Sequence, residues 1–80
     1  MNKIDKTFGL AIRLRRQELE FSQEDLAFKS GLHRTYVSQL ERGIKSPSLR
    51  VIMVLADALQ TNAYLLIQSA ESLLGIDEEK

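Results

Sequence analysis

The sequence contains no cysteine, no tryptophan, one histidine and one proline. The absence of cysteine excludes disulfides and thiolate chemistry, and one histidine is too few for a zinc site, which usually takes several His or Cys ligands. No apolar run approaches the roughly 18 residues of a membrane span, and the N-terminus lacks the apolar segment of a secretory signal. We therefore expect a cytoplasmic protein without a membrane anchor, and no metal, cofactor or small-molecule ligand.

The chain has 80 residues and a mass of 9.1 kDa, which is enough for one domain and leaves no room for a separate sensor or catalytic domain. Hydrophobic residues make up 44% and charged residues 28%, an ordinary globular composition. With no disulfide or metal to staple it, the chain must fold around a compact core, and a partner subunit can add to its stability.

Charge is balanced overall but divided unevenly along the chain. The net charge is zero, from 11 basic and 11 acidic residues, which by itself argues against a nucleic-acid partner. Residues 1–50 nevertheless carry ten basic and six acidic side chains, whereas residues 51–80 carry one basic and five acidic ones. The pattern indicates either one face meant for a polyanion or chance clustering on two solvated faces.

The apolar spacing is helical, and no stretch alternates with the period of a strand. Ser22 and Ser48 have hydroxyls that can cap the second and fourth of the helices. We predict an all-α, compact five-helix domain over residues 1–76, with helices at about 5–19, 23–29, 34–42, 49–59 and 62–74. Residues 77–80 are expected to fray as an acidic tail.

Two of these helices have informative apolar patterns. In the fourth, residues 51–56 are apolar on every face, so we expect this helix to be central or buried on two sides. The first carries its expected core stripe at Ile4, Phe8, Ile12 and Leu19.

The second and third helices, with a glycine between them, have the pattern of a helix-turn-helix. Counted from Gln23, position 5 is the small Ala27, where the two helices would touch, and position 9 is Gly31, where the turn can need a positive φ. Positions 4, 10, 15 and 18 are the apolar contacts that would fix the angle between the helices, namely Leu26, Leu32, Val37 and Leu40. All six residue types at this spacing indicate a helix-turn-helix far more strongly than any one of them.

The segments that carry this pattern are 22–27 (SQEDLA), 30–32 (SGL), 37–43 (VSQLERG) and 46–49 (SPSL). They resemble the phage-repressor and Cro-like helix-turn-helix family, the XRE family, over about residues 8–67. The resemblance implies a lambda-repressor-like DNA-binding domain. Residues 31–38 resemble, more narrowly, the controller proteins of bacterial restriction–modification systems, which are short, stand-alone and dimeric.

A helix held at a fixed angle can enter the major groove of DNA, where its N-terminal side chains meet the edges of bases. Arg34 can donate two hydrogen bonds to guanine, Gln39 can pair with adenine, and Thr35 offers a hydroxyl and a methyl group to thymine. The alternative for Arg34 is a solvated cation at a helix start. The candidates for base contact lie opposite Val37 and Leu40 on the third helix and are Arg34, Thr35, Ser38 and Gln39.

A second set of residues is expected at the DNA backbone. Gln23 begins the second helix, where its amide and the helix N-terminus can meet a phosphate, and the family resemblance implies the same role. Lys45 and Arg50 flank the loop after the third helix and can contact phosphate or remain solvated. His33 is a candidate phosphate neighbour or cap residue. Tyr36 can either pack between the second and third helices or reach the DNA with its hydroxyl.

The resemblance also implies an ion pair between Arg16 and Glu41, which would tie the first helix to the end of the recognition helix; Arg16 could instead lie near a phosphate. An exposed pair contributes only about 0–1 kcal/mol, so orientation would be its main effect. One position departs from the family, because the residue before Phe21 is usually glycine and is Glu20 here. Either Glu20 adopts a left-handed conformation, which costs about 1 kcal/mol, or the turn differs.

Several positions that are commonly polar in the family are apolar here, namely Val54, Tyr64, Ile67, Ala70 and Leu74. A small monomer should not expose so much hydrocarbon. We therefore predict a two-fold homodimer through the fifth helix and the end of the fourth; the alternative is that the fifth helix folds back on its own core. A dimer would place two recognition helices about 34 Å apart, and its target should be an inverted repeat.

The leading hypothesis is a sequence-specific transcriptional regulator that binds a palindromic operator as a homodimer and blocks or recruits RNA polymerase. The second is an antitoxin-like or prophage-type regulator whose fifth helix binds a protein partner. An enzyme is not expected, because the adjacent acids Glu24 and Asp25 serve a helix start and the isolated glycines form no phosphate loop.

Overall fold

The computed structural model describes residues 2–78, with side chains through Gly75. Over these residues the chain forms five α-helices and no strand, so the predicted all-α fold is confirmed. The helices are α1 (Lys3–Glu18), α2 (Gln23–Ser30), α3 (Arg34–Glu41), α4 (Leu49–Ala58) and α5 (Ala63–Glu78). The Cα radius of gyration, 11.6 Å, is that of a compact chain of this length.

Short polar side chains start three of the helices. The Asn2 side chain accepts from the backbone of α1, and Ser48 Oγ accepts from the Val51 N–H at 3.2 Å. At α2, Ser22 Oγ accepts from the Asp25 N–H and the Asp25 carboxylate accepts from the Ser22 N–H, both at 2.9 Å. Hydrogen bonding to the carboxylate from the Ser22 backbone N–H, and next from the Ser22 side chain, lowers the pKa of Asp25 below its ordinary value. The two serine caps expected from the sequence are therefore confirmed.

The core joins residues from all five helices. The six largest fully buried side chains are Ile12, Leu26, Val37, Leu40, Leu55 and Leu59. Three of them belong to the spacing that predicts the helix-turn-helix, and Leu32 packs against the same core while remaining partly exposed. The angle between α2 and α3 is thus fixed by aliphatic packing, which is the interaction that contributes most to a small fold.

One expectation about the core is wrong. Ile4 is 61% exposed, because it lies in the first turn of α1, where side chains lean towards the N-terminus and beyond the packed body. The fourth helix packs against both α2 and α5, as expected of a helix buried on two sides, and leaves Leu49 and Met53 70% and 57% exposed on one face. The apolar composition of α4 therefore leaves hydrocarbon facing solvent.

The fifth helix is longer than predicted. It continues through Gly75 to Glu78 instead of ending at about 74, because an isolated glycine weakens a helix without stopping it and no proline follows. Two residues of the predicted acidic tail, 77 and 78, are therefore helical, and residues 79–80 lie outside the described residues. Among residues 2–78, no single helix combines the length and apolarity of a membrane span; α4 and α5 reach them only as a pair, bent by 101°.

The turn between α1 and α2 adopts the left-handed conformation in spite of its sequence. Glu20 has a φ of 61°, and the Phe21 N–H donates to the Arg16 carbonyl at 3.0 Å, which closes the end of α1. Of the two alternatives that the sequence leaves open, the structure has the one in which Glu20 bears the strain. Gln60, in the turn between α4 and α5, has a similar φ of 58°.

Replacing Glu20 by glycine should raise the free energy of unfolding by about 0.5–1 kcal/mol, because glycine adopts positive φ without a Cβ clash. Urea denaturation measures this change. Glu20→Ala is the matched control, since it removes the carboxylate and keeps the Cβ. An equal gain in both variants would show that the carboxylate, and not the backbone conformation, carries the strain.

Candidate nucleic-acid interface

The corner between α2 and α3 depends on a left-handed glycine. Gly31 has a φ of 73° and a ψ of 14°, and the Leu32 N–H donates to the Ala27 carbonyl at 3.1 Å. A Cβ at Gly31 would meet nothing within 4 Å, so the requirement for glycine is one of conformation and not of space. Ala27, 7% exposed, lies inside the corner. After this turn, His33 is the residue before α3, which begins at Arg34.

α3 divides into a buried face and an outward edge. Val37 and Leu40 are 0% and 1% exposed and hold the helix on the core. Arg34 and Thr35 are exposed at its N-terminus, and Ser38 and Gln39 are half-buried further along. The four candidate base-contacting residues therefore lie together on the side of α3 away from Val37 and Leu40, with the two most accessible at the end that would enter a groove first.

The candidate phosphate contacts differ from one another in exposure and in position. His33 is exposed at the position before α3 and makes no side-chain cap. Lys45 and Arg50 are exposed, one in the loop after α3 and one in the first turn of α4. Tyr36 is half-buried and packs against the core, which is the first of the two roles that the sequence allows for it.

A buried hydrogen-bond cluster connects α1, α2 and α3. Arg16 Nε and Nη2 donate to the two carboxylate oxygens of Glu41 at 2.7 and 2.9 Å, and Arg16 Nη1 donates to the Phe21 carbonyl at 2.9 Å. The side chains of Arg16 and Glu41 are only 11% and 3% exposed. Hydrogen bonding of the Arg16 guanidinium to the Glu41 carboxylate is the main cause that raises the pKa of Arg16. The arginine thus lies in the interior of the molecule and not at an open phosphate site.

Gln23 has a partner that the sequence did not suggest. Its Nε2 donates to Glu41 Oε1 at 3.0 Å, so part of the amide expected at a phosphate faces the protein. Gln23 is half-buried as a result. The contact arises because Gln23 begins α2 where Glu41 ends α3, and the two helix ends meet beside Arg16. One N–H and the amide oxygen of Gln23 remain for another partner.

Sequence reasoning missed two residues that position these helices. Gly9 is buried in α1 against the end of α3, and a Cβ there would lie 2.3 Å from the Leu40 carbonyl oxygen. Arg15 Nε and Nη2 donate to the carbonyls of Leu59 and Gln60 at 3.0 and 3.2 Å, which completes the end of α4. The signal for Gly9 was present, since an isolated glycine inside a helical pattern often has a packing reason.

The predicted dimer surface is only partly exposed. Tyr64 and Ile67 are 69% and 39% exposed, and Val54 and Leu74 are half-buried. Ala70 is 8% exposed and belongs to the core of the single chain, because that side of α5 packs on α1. Its inclusion among the outward-facing residues is wrong. A groove joins this region to the start of α1, lined by Ile4, Phe8, Ile52, Ile67 and Leu74 among others.

Within the described part of the chain, no three His, Cys, Asp or Glu side chains are grouped as metal ligands. The structure combines an outward polar helix edge, exposed cations in the segment that follows it and a buried cluster that fixes its angle. This arrangement can present side chains to a groove of a polyanionic duplex.

Comparison with known proteins places this arrangement in a family. A family model described as helix-turn-helix matches residues 12–66, more than half of the chain. Control protein C.BamHI from Bacillus amyloliquefaciens is 44% identical over 59 residues, which cover 72% of this chain and 73% of that protein.

Solved structures of controller proteins are also similar to this chain. The restriction-modification controller protein C.AhdI from Aeromonas hydrophila has 44% identity and a TM-score of 0.75, over 76% of this chain and 92% of that one. The controller C.Esp1396I, solved as a tetramer with its natural 35 base-pair operator, has a TM-score of 0.85 at 24% identity, over 92% and 97% of the chains, and shows likeness of fold. The chain therefore belongs to the helix-turn-helix (XRE) family, as its sequence pattern predicts, and its relatives there include controller proteins of restriction–modification systems.

Proposed function

We propose that this protein is a sequence-specific DNA-binding transcriptional regulator that acts as a homodimer on a palindromic operator, as the controller of a restriction–modification system. The observation that carries the proposal is the outward edge of α3. Arg34 and Thr35 are exposed at the N-terminus of a helix whose angle is fixed by buried aliphatic side chains and by the Gly31 turn. Such a helix end fits the major groove, and its arginine can recognise guanine.

The charge around α3 supports a polyanionic partner. Between residues 33 and 50 the chain has four cationic side chains and one acid. The acid is Glu41, which is buried and paired with Arg16, so the exposed charge of this segment is positive. The cations are Arg34, Arg42, Lys45 and Arg50, all exposed. Lys45 and Arg50, with His33 and Gln23, would contact the DNA backbone and set the register of α3 on the duplex.

The exposed hydrocarbon of α4 and α5 supports the homodimer. Met53, Tyr64 and Ile67 present large apolar groups on the surface of a chain whose core is small. A two-fold axis through this region would bury these side chains on both chains. It would also set two copies of α3 about one turn of DNA apart. The operator is then an inverted repeat.

The role is one of binding and not of catalysis. The protein would act in the cytoplasm. Its concentration would be the input, and dimerisation before binding would make the occupancy of the operator depend steeply on that concentration. It would repress by covering a promoter or activate by contact with RNA polymerase, according to where its operator lies.

A second function has an observation in its favour. The same exposed side chains, Tyr64 and Ile67, would also suit an antitoxin-like or prophage-type regulator whose α5 binds another protein. Size-exclusion chromatography with light scattering separates the two. A stable species of two chains supports the controller, and a monomer that associates only with a different protein supports the alternative.

Selection from a pool of random duplexes tests the proposed function. We expect recovery of an inverted repeat with half-site centres about 34 Å apart, bound by two chains. Recovery of unrelated sequences, bound with equal affinity, would refute the proposal.

Arg34→Ala should reduce affinity for the selected operator by about 1–3 kcal/mol and relax the preference at one base pair, because a bidentate contact to guanine is lost. Arg13→Ala is the control, since it removes the same charge from an exposed position of α1. Competition titrations with operators changed at each position measure both. If Arg34→Ala and Arg13→Ala lower affinity equally for every sequence, Arg34 does not read a base.

A further inference from the structure

Glu41 lies where a carboxylate is least expected. It is the last residue of α3, at the negative end of the helix dipole, and its side chain is 3% exposed. A buried charge in this position requires compensation from donors. Arg16 supplies two hydrogen bonds, at 2.7 and 2.9 Å, and Gln23 supplies a third, at 3.0 Å. Two donor groups from two other helices therefore converge on one acceptor.

The third hydrogen bond fixes the orientation of the Gln23 amide. A carboxylate only accepts hydrogen bonds, so the amide must turn its NH₂ group and not its oxygen towards Glu41. That leaves one amide N–H unused by Glu41. Without Glu41, the amide of a half-buried glutamine could rotate and present its oxygen, which repels a phosphate.

The cluster also joins the start of α2 to the recognition helix. Arg16 donates to the Phe21 carbonyl at 2.9 Å, in the turn that leads into α2, while its other two donors hold the end of α3. The position of the Gln23 amide is therefore coupled to the position of α3. A backbone contact held in this way would keep the base-reading edge in one register on the duplex.

We infer that Glu41 is a positioning residue of the DNA interface, which holds the Gln23 amide so that its second N–H donates to a DNA phosphate. Arg16 holds Glu41 in turn. The inference rests on the proposed function, since it requires that the start of α2 meets the DNA backbone.

A double-mutant cycle with Gln23→Ala and Glu41→Gln tests it. Each single variant should weaken binding of the selected operator and of a scrambled duplex by the same factor, about three- to tenfold, because one phosphate hydrogen bond is lost. Glu41→Gln should have no further effect in the Gln23→Ala background. Glu18→Gln, a change of the same charge at an exposed position, is the control and should not weaken binding. An undiminished loss from Glu41→Gln in the Gln23→Ala background would overturn the inference.

A spectroscopic measurement covers the case in which Glu41→Gln does not fold. In the wild-type protein, the two Nε2 protons of Gln23 give separate NMR signals, and we expect only the one not bonded to Glu41 to shift when operator is added. If neither shifts while α3 signals do, the protein reads DNA without this contact and only the positioning role fails. If the wild-type protein shows no preference for any duplex, the proposed function fails, and the positioning role fails with it.

Discussion

Gly9→Ala should lower the free energy of unfolding by about 1–2 kcal/mol and weaken operator binding with it. In an isolated helix the change would be favourable by about 1 kcal/mol, because alanine is the better helix former. Here the new Cβ would lie 2.3 and 2.7 Å from the carbonyl oxygens of Leu40 and Glu41. Both are backbone atoms, so α1 and α3 must separate, and overpacking of this kind typically costs about 1–3 kcal/mol.

Separation of α1 and α3 would also disturb the proposed DNA interface. Glu41 is held by Arg16 of α1, and a shift of α1 away from α3 would lengthen that buried ion pair. For a domain whose total stability is about 5–15 kcal/mol, such a loss is a large fraction. Urea denaturation and operator titration of the same variant measure the two effects.

Gly75→Ala provides the matched control. Gly75 lies in α5 with nothing within 4 Å of the position of a Cβ, so alanine there should stabilise the fold by about 0.5–1 kcal/mol. Opposite signs for two Gly→Ala changes in helices are the expected result. Stabilisation by both would mean that α1 and α3 do not approach as closely as the structure has them.

Ile67→Glu should convert the proposed dimer into monomers and reduce operator affinity by about a hundredfold or more, because two linked half-site contacts become independent. Ile67 is 39% exposed, so the chain itself should tolerate the charge. Light scattering gives the mass, and titration with a full and a half operator gives the affinity.

The control for this change is the next residue. Gln68→Glu adds the same charge one position along α5, on a neighbouring face that lines the groove beside Arg15. It should leave both mass and affinity unchanged. A mass of two chains for Ile67→Glu would remove this part of α5 from the interface.

The sequence alone was sufficient to predict the helix-turn-helix. Ala27, Gly31 and the aliphatic positions around them are close in the chain, and local spacing determines which face of each short helix is apolar. The conformation of Glu20 was likewise foreseen as one of two alternatives, because the family pattern marks that position as a turn. Predictions of this kind depend on contacts between near neighbours in the sequence.

Contacts between distant segments could not be predicted in the same way. Ile4 and Ala70 are both apolar, and only the packing of α1 against α5 decides that Ala70 is buried while Ile4 is exposed. Gly9 has its role because α3 crosses α1 at that point. The hydrogen bond between Gln23 and Glu41 depends on where two helix ends meet, which periodicity does not specify.

The most direct test of the account is a pair of titrations of the wild-type protein, with the selected operator and with a scrambled duplex of the same length, at low and at physiological salt. If the edge of α3 reads base pairs, the operator should bind about 10³-fold or more tightly at physiological salt, while both affinities fall as salt rises. Equal affinities for the two duplexes at both salt concentrations would contradict the account.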